Sequence, residues 1–169
     1  MNIERGLANA VYSPDNLYQL VLTGGTTNPG DLRLRYCADA SGFDTSTGQC
    51  GGTLTVLWKS ETGTADGATG GTSAVFQANG NLVVYDGPVP PDGSSTALWN
   101  ANTCATCSIG GQGVRLYLPG PDSVCTCQTL LCIVVELSGG GGGVDYYYAA
   151  ANGPSPFTDT LTSGCPAAP

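Results

Sequence analysis

No histidine occurs anywhere in this chain, and lysine and arginine together number only 5. Each shortage removes a class of function. Without histidine there is no Ser-His or Cys-His nucleophile pair. With 13 acidic residues against those few cations, the net charge is −8. That balance argues against nucleic acid as a partner and against docking on an anionic membrane. Long apolar runs are missing too. The longest, Leu130 to Val135, is far too short to cross a bilayer, so no membrane insertion is expected. No segment keeps a helical apolar period over three or four turns. The carboxylates fall mostly in loops, as at Asp39, Asp44, Asp92 and Asp122, and no pair for glycoside hydrolysis stands out. The chain reads as a non-enzyme with no cofactor.

What remains is a chain of short strands. The apolar runs are rich in Val, Leu and Tyr, and Gly, Pro, Asn or Asp bound them. This is the pattern of an all-β domain. Strands are expected at Leu17 to Leu22, Asp31 to Tyr36, Thr53 to Trp58, Ser73 to Gln77, Leu82 to Tyr85 and Thr96 to Trp99. Asp31 to Tyr36 alternates polar and apolar residues, as a half-buried strand does. Ser13-Pro14-Asp15-Asn16 signals a turn. The phrase Leu-Trp-x-small-x-Thr occurs twice, at Leu57 to Thr62 and at Leu98 to Thr103. Val114 to Leu118, Ile133 to Leu137 and Val144 to Tyr148 form a looser third copy, with Tyr148 in the place of the tryptophan. Three units of about 40 residues each imply an internal threefold repeat in which each unit completes its neighbours' core. One domain over residues 1–153 is expected, with repeats near 13–62, 73–103 and 114–153, followed by a Pro/Ala-rich tail at 154–169. Trp58 and Trp99 close apolar strands and are read as core rather than as sugar-stacking rings.

Cysteine is abundant, at 8 residues. An even count with no histidine reads as four disulfides and an oxidising compartment, hence a secreted or extracellular protein. Met1 to Ala10 lacks the apolar region of a signal peptide, so the chain is taken as mature or excised. Cys37 and Cys50 bracket a Ser/Thr/Gly/Asp loop and are expected to pair. Cys127 and Cys132 could close the third hairpin. Cys104, Cys107, Cys125 and Cys165 then leave three pairings open. A zinc site is disfavoured, because the Cys-x-Cys and close Cys132 spacing do not make two Cys-x-x-Cys knuckles.

The clearest local signal is Gln77-Ala78-Asn79-Gly80-Asn81-Leu82-Val83-Val84-Tyr85. Asn79-Gly80 predicts a tight type I′ hairpin turn. The odd spacing of Gln77, Asn79, Asn81 and Tyr85 sends them to one face. Amides and a phenol in a row can grip hydroxyl groups, since they both donate and accept.

The segment Gln77-x-Asn79-x-Asn81-x-Val83-x-Tyr85 closely resembles the motif Gln-x-Asp-x-Asn-x-Val-x-Tyr of the bulb-type mannose-binding lectins. Ser13 to Leu20 looks like that family's approach to its first sheet, and the two Leu-Trp phrases look like its unit-closing strand. The resemblance implies a disulfide-stapled β-prism II, with three four-stranded antiparallel sheets around a pseudo-threefold axis and tryptophans near the centre. It implies a mannose-type glycan as partner. Gln77, Asn81 and Tyr85 would bond its hydroxyls, and Val83 would meet its carbon face. Asn79 departs from the family's Asp. It forgoes a charge-assisted bond, which is about twice as strong as a neutral one. A buried hydroxyl left poorly paired costs about 1–3 kcal/mol. The other repeats do not keep the row. Repeat one has Asp31 and Arg35 in the Asn and Tyr places, and repeat three has Pro119 and Glu136 in the Gln and Tyr places. These losses, the cross-links and the tail support a second expectation. In it the chain is a structural subunit of an extracellular filament, sheath or surface layer that pairs with copies of itself through strand edges or its C-terminal segment.

Overall fold

The computed structural model describes residues 2–4, 9–24, 30–63, 70–77, 80–87, 94–103, 113–119, 131–136, 146–149 and 158–159. The described residues are all-β, with antiparallel pairing throughout and no helix. Three sheets have four strands each. The first contains β2 (Val11–Tyr12), β3 (Tyr18–Leu22), β4 (Leu32–Ala38) and β7 (Thr53–Lys59), adjacent in that order. Between β4 and β7 the chain makes a small two-stranded excursion, β5 (Phe43–Asp44) and β6 (Gln49–Cys50). The second sheet contains β1 (Asn2–Glu4), β8 (Ser73–Phe76), β9 (Leu82–Tyr85) and β10 (Ala97–Asn100). The third contains β11 (Gly113–Tyr117), β12 (Cys132–Glu136), β13 (Tyr146–Ala149) and β14 (Thr158–Asp159).

Alternation along the strands explains the core. Successive strand residues point to opposite faces. Leu20, Leu22, Leu32 and Leu34 therefore share one face of the first sheet, and Ala74, Leu82 and Val84 share one face of the second. These residues meet Trp58, Trp99, Ala101, Leu131 and Ile133 in one buried cluster that draws on all three sheets. Fully burying a side chain such as leucine contributes about 1.5–3 kcal/mol. A lone sheet would leave these faces in water, so each depends on the other two. Trp58 and Trp99 are 3% and 7% exposed, and their ring centroids lie 5.2 Å apart at 58°. They are core residues, as expected from their strand-end positions.

The Leu-Trp phrases adopt matching conformations. The fifth residue of each, Glu61 or Asn102, has a left-handed backbone, with φ of 57° and 55°. The fourth, Ser60 or Ala101, donates its backbone N–H to the carbonyl of Leu32 or Leu82. The closing threonine, Thr62 or Thr103, donates its hydroxyl to the carbonyl of Gly30 or Gly80. Each glycine has a positive φ, 81° and 87°, and ends the hairpin loop of its own sheet. The sequence repeat is thus a repeated device that fastens the last strand of a sheet to its central hairpin.

Several details differ from the sequence reading. Asn2–Glu4 forms the edge of the second sheet by pairing with Ser73–Phe76. So short a segment shows no alternation. Thr158–Asp159 falls in the segment read as a Pro/Ala-rich tail beyond the domain, yet it pairs with Tyr148 and Ala149 as the fourth strand of the third sheet. The Cys37–Cys50 loop contains the β5–β6 ribbon. Its expected disulfide is present, with a Cα–Cα distance of 5.6 Å. Cys132 is disulfide-bonded as well. Cys104, Cys107, Cys125, Cys127 and Cys165 lie outside the described residues, as do the side chains of Tyr148 and Glu136. Among the described residues no cluster of three or more metal-ligating side chains forms.

The Cys37–Cys50 link closes a short loop and leaves the shared tryptophan core alone. A Cys37→Ala/Cys50→Ala double variant is expected to lose about 3 kcal/mol of unfolding free energy, read from the urea midpoint, while keeping the tryptophan fluorescence of the folded protein.

Candidate functional site

The second-sheet hairpin is built from register. Phe76 pairs with Leu82, Val75 with Val83 and Ser73 with Tyr85. Gln77 donates its N–H to the Asn81 carbonyl, and Gly80 donates its N–H to the Gln77 carbonyl. The loop between Gln77 and Asn81 therefore has three residues. The expected two-residue Asn79-Gly80 turn would have placed Ala78 opposite Asn81 instead. Gly80 supplies a positive φ that lets the chain re-enter the ladder. Asn79 itself lies outside the described residues.

This register sets Gln77, Asn81, Val83 and Tyr85 on one face. Gln77 Nε2 donates to the Tyr85 hydroxyl at 2.9 Å, spanning the hairpin diagonally. Gln77, Asn81 and Tyr85 are half-buried, whereas Val83 is 3% exposed and forms a floor between them. Because the Tyr85 oxygen accepts from Gln77, its own proton is free to be donated elsewhere. The Gln77 amide oxygen remains an acceptor. The face offers directed hydrogen bonds around a small apolar floor.

The same face of the first sheet is charged. Register equates Asp31 with Asn81, Arg33 with Val83 and Arg35 with Tyr85. Asp31 is 3% exposed and accepts from Arg33 Nε at 2.9 Å and from the Ser60 hydroxyl at 3.2 Å. Ser60 Oγ also accepts the Leu32 N–H and contacts Thr62 Oγ1 at 2.8 Å. Arg35 Nη1 donates to Gln19 Oε1 at 3.4 Å, and Gln19 Nε2 donates to the Tyr12 hydroxyl at 3.1 Å. Burial, and then the neighbouring Arg33 charge, hold Arg35 below the usual arginine range. The sequence shows the substitutions but not that Gln19 and Tyr12 join them, because β2 is only two residues long.

A cavity of about 270 Å³ lies at the β5–β6 ribbon, lined in part by Ser41, Asp44, Thr47 and Gln49. Asp44 is turned back on the Ser46 hydroxyl and N–H, which hold its carboxyl below the usual range. Asp39 does the same with Ser41. Both are ordinary turn caps.

No known protein family, curated protein or solved structure matches this chain.

Thr103 holds the loop of the candidate hairpin from beneath. Thr103→Val keeps the shape and removes the donor, leaving the Gly80 carbonyl buried without it. A loss of about 1–3 kcal/mol is expected by urea unfolding. Faster amide exchange at Gly80 and Asn81 should accompany it.

Proposed function

We propose that this chain is a non-catalytic carbohydrate-binding module, a β-prism of the bulb-lectin type, which takes a mannose-type glycan on the Gln77–Tyr85 face. The observation that carries the reading is the alignment of Gln77, Asn81 and Tyr85 around Val83, with Gln77 and Tyr85 already bonded to each other. Such a pair is preorganised, so a sugar hydroxyl meets donors and acceptors that lose little further freedom. The Thr–Gly fastening shared by two sheets, and a core drawn from all three, support a pseudo-threefold prism. The disulfides support an extracellular setting.

A second reading has its own observation. β7 and β10 are the outer strands of their sheets, and they carry exposed Leu54, Val56 and Leu98. An edge strand with apolar side chains can pair with another chain, which suits a self-assembling extracellular subunit.

Calorimetric titration with mannose and mannobiose separates the two. Saturable millimolar binding is expected, lost in Asn81→Ala and in Tyr85→Ala. Asn79→Asp should tighten it by about tenfold, through the charge-assisted bond it introduces. Absence of binding at millimolar sugar, with particle growth on concentrating the protein, favours the assembly reading and overturns the first.

A further inference from the structure

The first sheet holds a guanidinium, that of Arg35, with no ion pair among the described residues. Arg33, Arg35 and Lys59 account for three of the 5 cationic residues in a chain of net charge −8. Arg33 and Lys59 are cross-strand neighbours, and each has its own acid. Arg33 Nε meets Asp31 at 2.9 Å, and Lys59 Nζ meets Glu61 at 3.3 Å. Arg35 has no carboxylate partner among the described residues. Its hydrogen bond is the long one to neutral Gln19. Its Nε is enclosed, with no acceptor among the described residues. A half-buried guanidinium so poorly compensated is a costly arrangement unless an anion completes it.

The surroundings state what kind of anion fits. Tyr12, Gln19, Arg35 and Val56 are directly opposite one another on the four successive strands of the sheet. They form one row of aromatic ring, amide, guanidinium and exposed aliphatic group. Gln19 is fully buried, which fixes the chain from Tyr12 through Gln19 to Arg35. The Tyr12 hydroxyl accepts from Gln19 and keeps its own proton to donate. Val56, 44% exposed, offers an apolar rim. A carboxylate suits the planar fork of arginine better than any neutral hydroxyl does. A ring with hydroxyls on its edge and C–H groups on its face suits the tyrosine and valine beside it.

We propose that the outer face of the first sheet is a second sugar site, specific for a carboxylated sugar of the hexuronate kind, with Arg35 as the carboxylate receptor and Tyr12 as a hydroxyl partner. It rests on the reading of these sheets as sugar-binding faces, but not on binding at Gln77. Arg35 occupies the register position of Tyr85, so the substitution that removes a neutral site at this face creates an acidic-sugar site in its place.

The test is titration of the full chain with glucuronate, glucose, acetate and mannose at low ionic strength, followed by calorimetry and backbone amide shifts. Glucuronate is expected to bind saturably, to shift the amides of Gln19 and Arg35, and to weaken as salt is raised. Glucose and acetate should each bind much more weakly. Arg35→Gln should weaken glucuronate about ten- to a hundredfold and leave mannose binding as it was. Gln77→Ala should do the reverse, so failure at one face is distinguishable from failure at the other. If Arg35→Gln does not fold, Arg35→Lys, which keeps the charge and loses the fork, takes its place and should give intermediate affinity. Glucuronate binding no tighter than glucose, acetate binding as tight as glucuronate, or a folded Arg35 variant with unchanged affinity overturns the proposal.

Discussion

A threonine hydroxyl donated to a glycine carbonyl holds each of the first two sheets in shape. Thr62 on Gly30 and Thr103 on Gly80 join the end of the last strand to the loop of the central hairpin. The geometry demands particular residues. The glycine must take a positive φ, and the residue before the threonine must do so as well. Once those are in place, the tryptophan earlier in the phrase points inward and meets its counterpart from the other sheet. The core, the hairpins and both candidate faces stand on this fastening. In the first sheet it extends further. Gly71 donates to the same Gly30 carbonyl, and a side chain on Gly71 would collide with Val84. The chain at Gly71, just before the second sheet, is thereby held against the first.

The outward faces diverge on an inward frame that does not. Leu32 and Leu34 match Leu82 and Val84 in position and burial. Between them, Asp31, Arg33 and Arg35 replace Asn81, Val83 and Tyr85. Packing constrains one side of a strand and leaves the other open to change its chemistry. The first sheet uses that freedom for charge, the second for neutral hydrogen bonding.

Much of this was legible from residues alone. Alternation in Asp31 to Tyr36 located β4 and its inward leucines. The doubled Leu-Trp phrase marked the repeat and the core tryptophans, and the Cys37–Cys50 spacing gave a disulfide. Asn81, Val83 and Tyr85 share a face by period two, whereas Gln77 joins them only through the three-residue loop, since a two-residue turn would have sent it to the opposite face. Other features left no local trace. Asn2–Glu4 is a strand only because Ser73–Phe76, far along the chain, offers it hydrogen bonds, and Thr158–Asp159 only because the preceding Tyr146–Ala149 does. The turn at Gly80 differs from the expected two-residue form because Asn-Gly fits both loop lengths, and the pairing of Phe76 with Leu82 decides between them. The Tyr12–Gln19–Arg35 chain crosses three strands, and nothing in a linear reading brings those residues together.

The pairing of Asn2–Glu4 with Ser73–Phe76 sets an order of events during folding. β1 has no partner until β8 forms, and all the strands of the first sheet lie between the two in sequence. A non-local contact of this kind comes late, since loop closure must be met before the pairing rewards it. Until then β8 has a bare edge on one side and the candidate hairpin on the other. The second sheet is therefore open to intruding strands for as long as Asn2–Glu4 remains undocked, and this short segment acts as the latch that covers the edge.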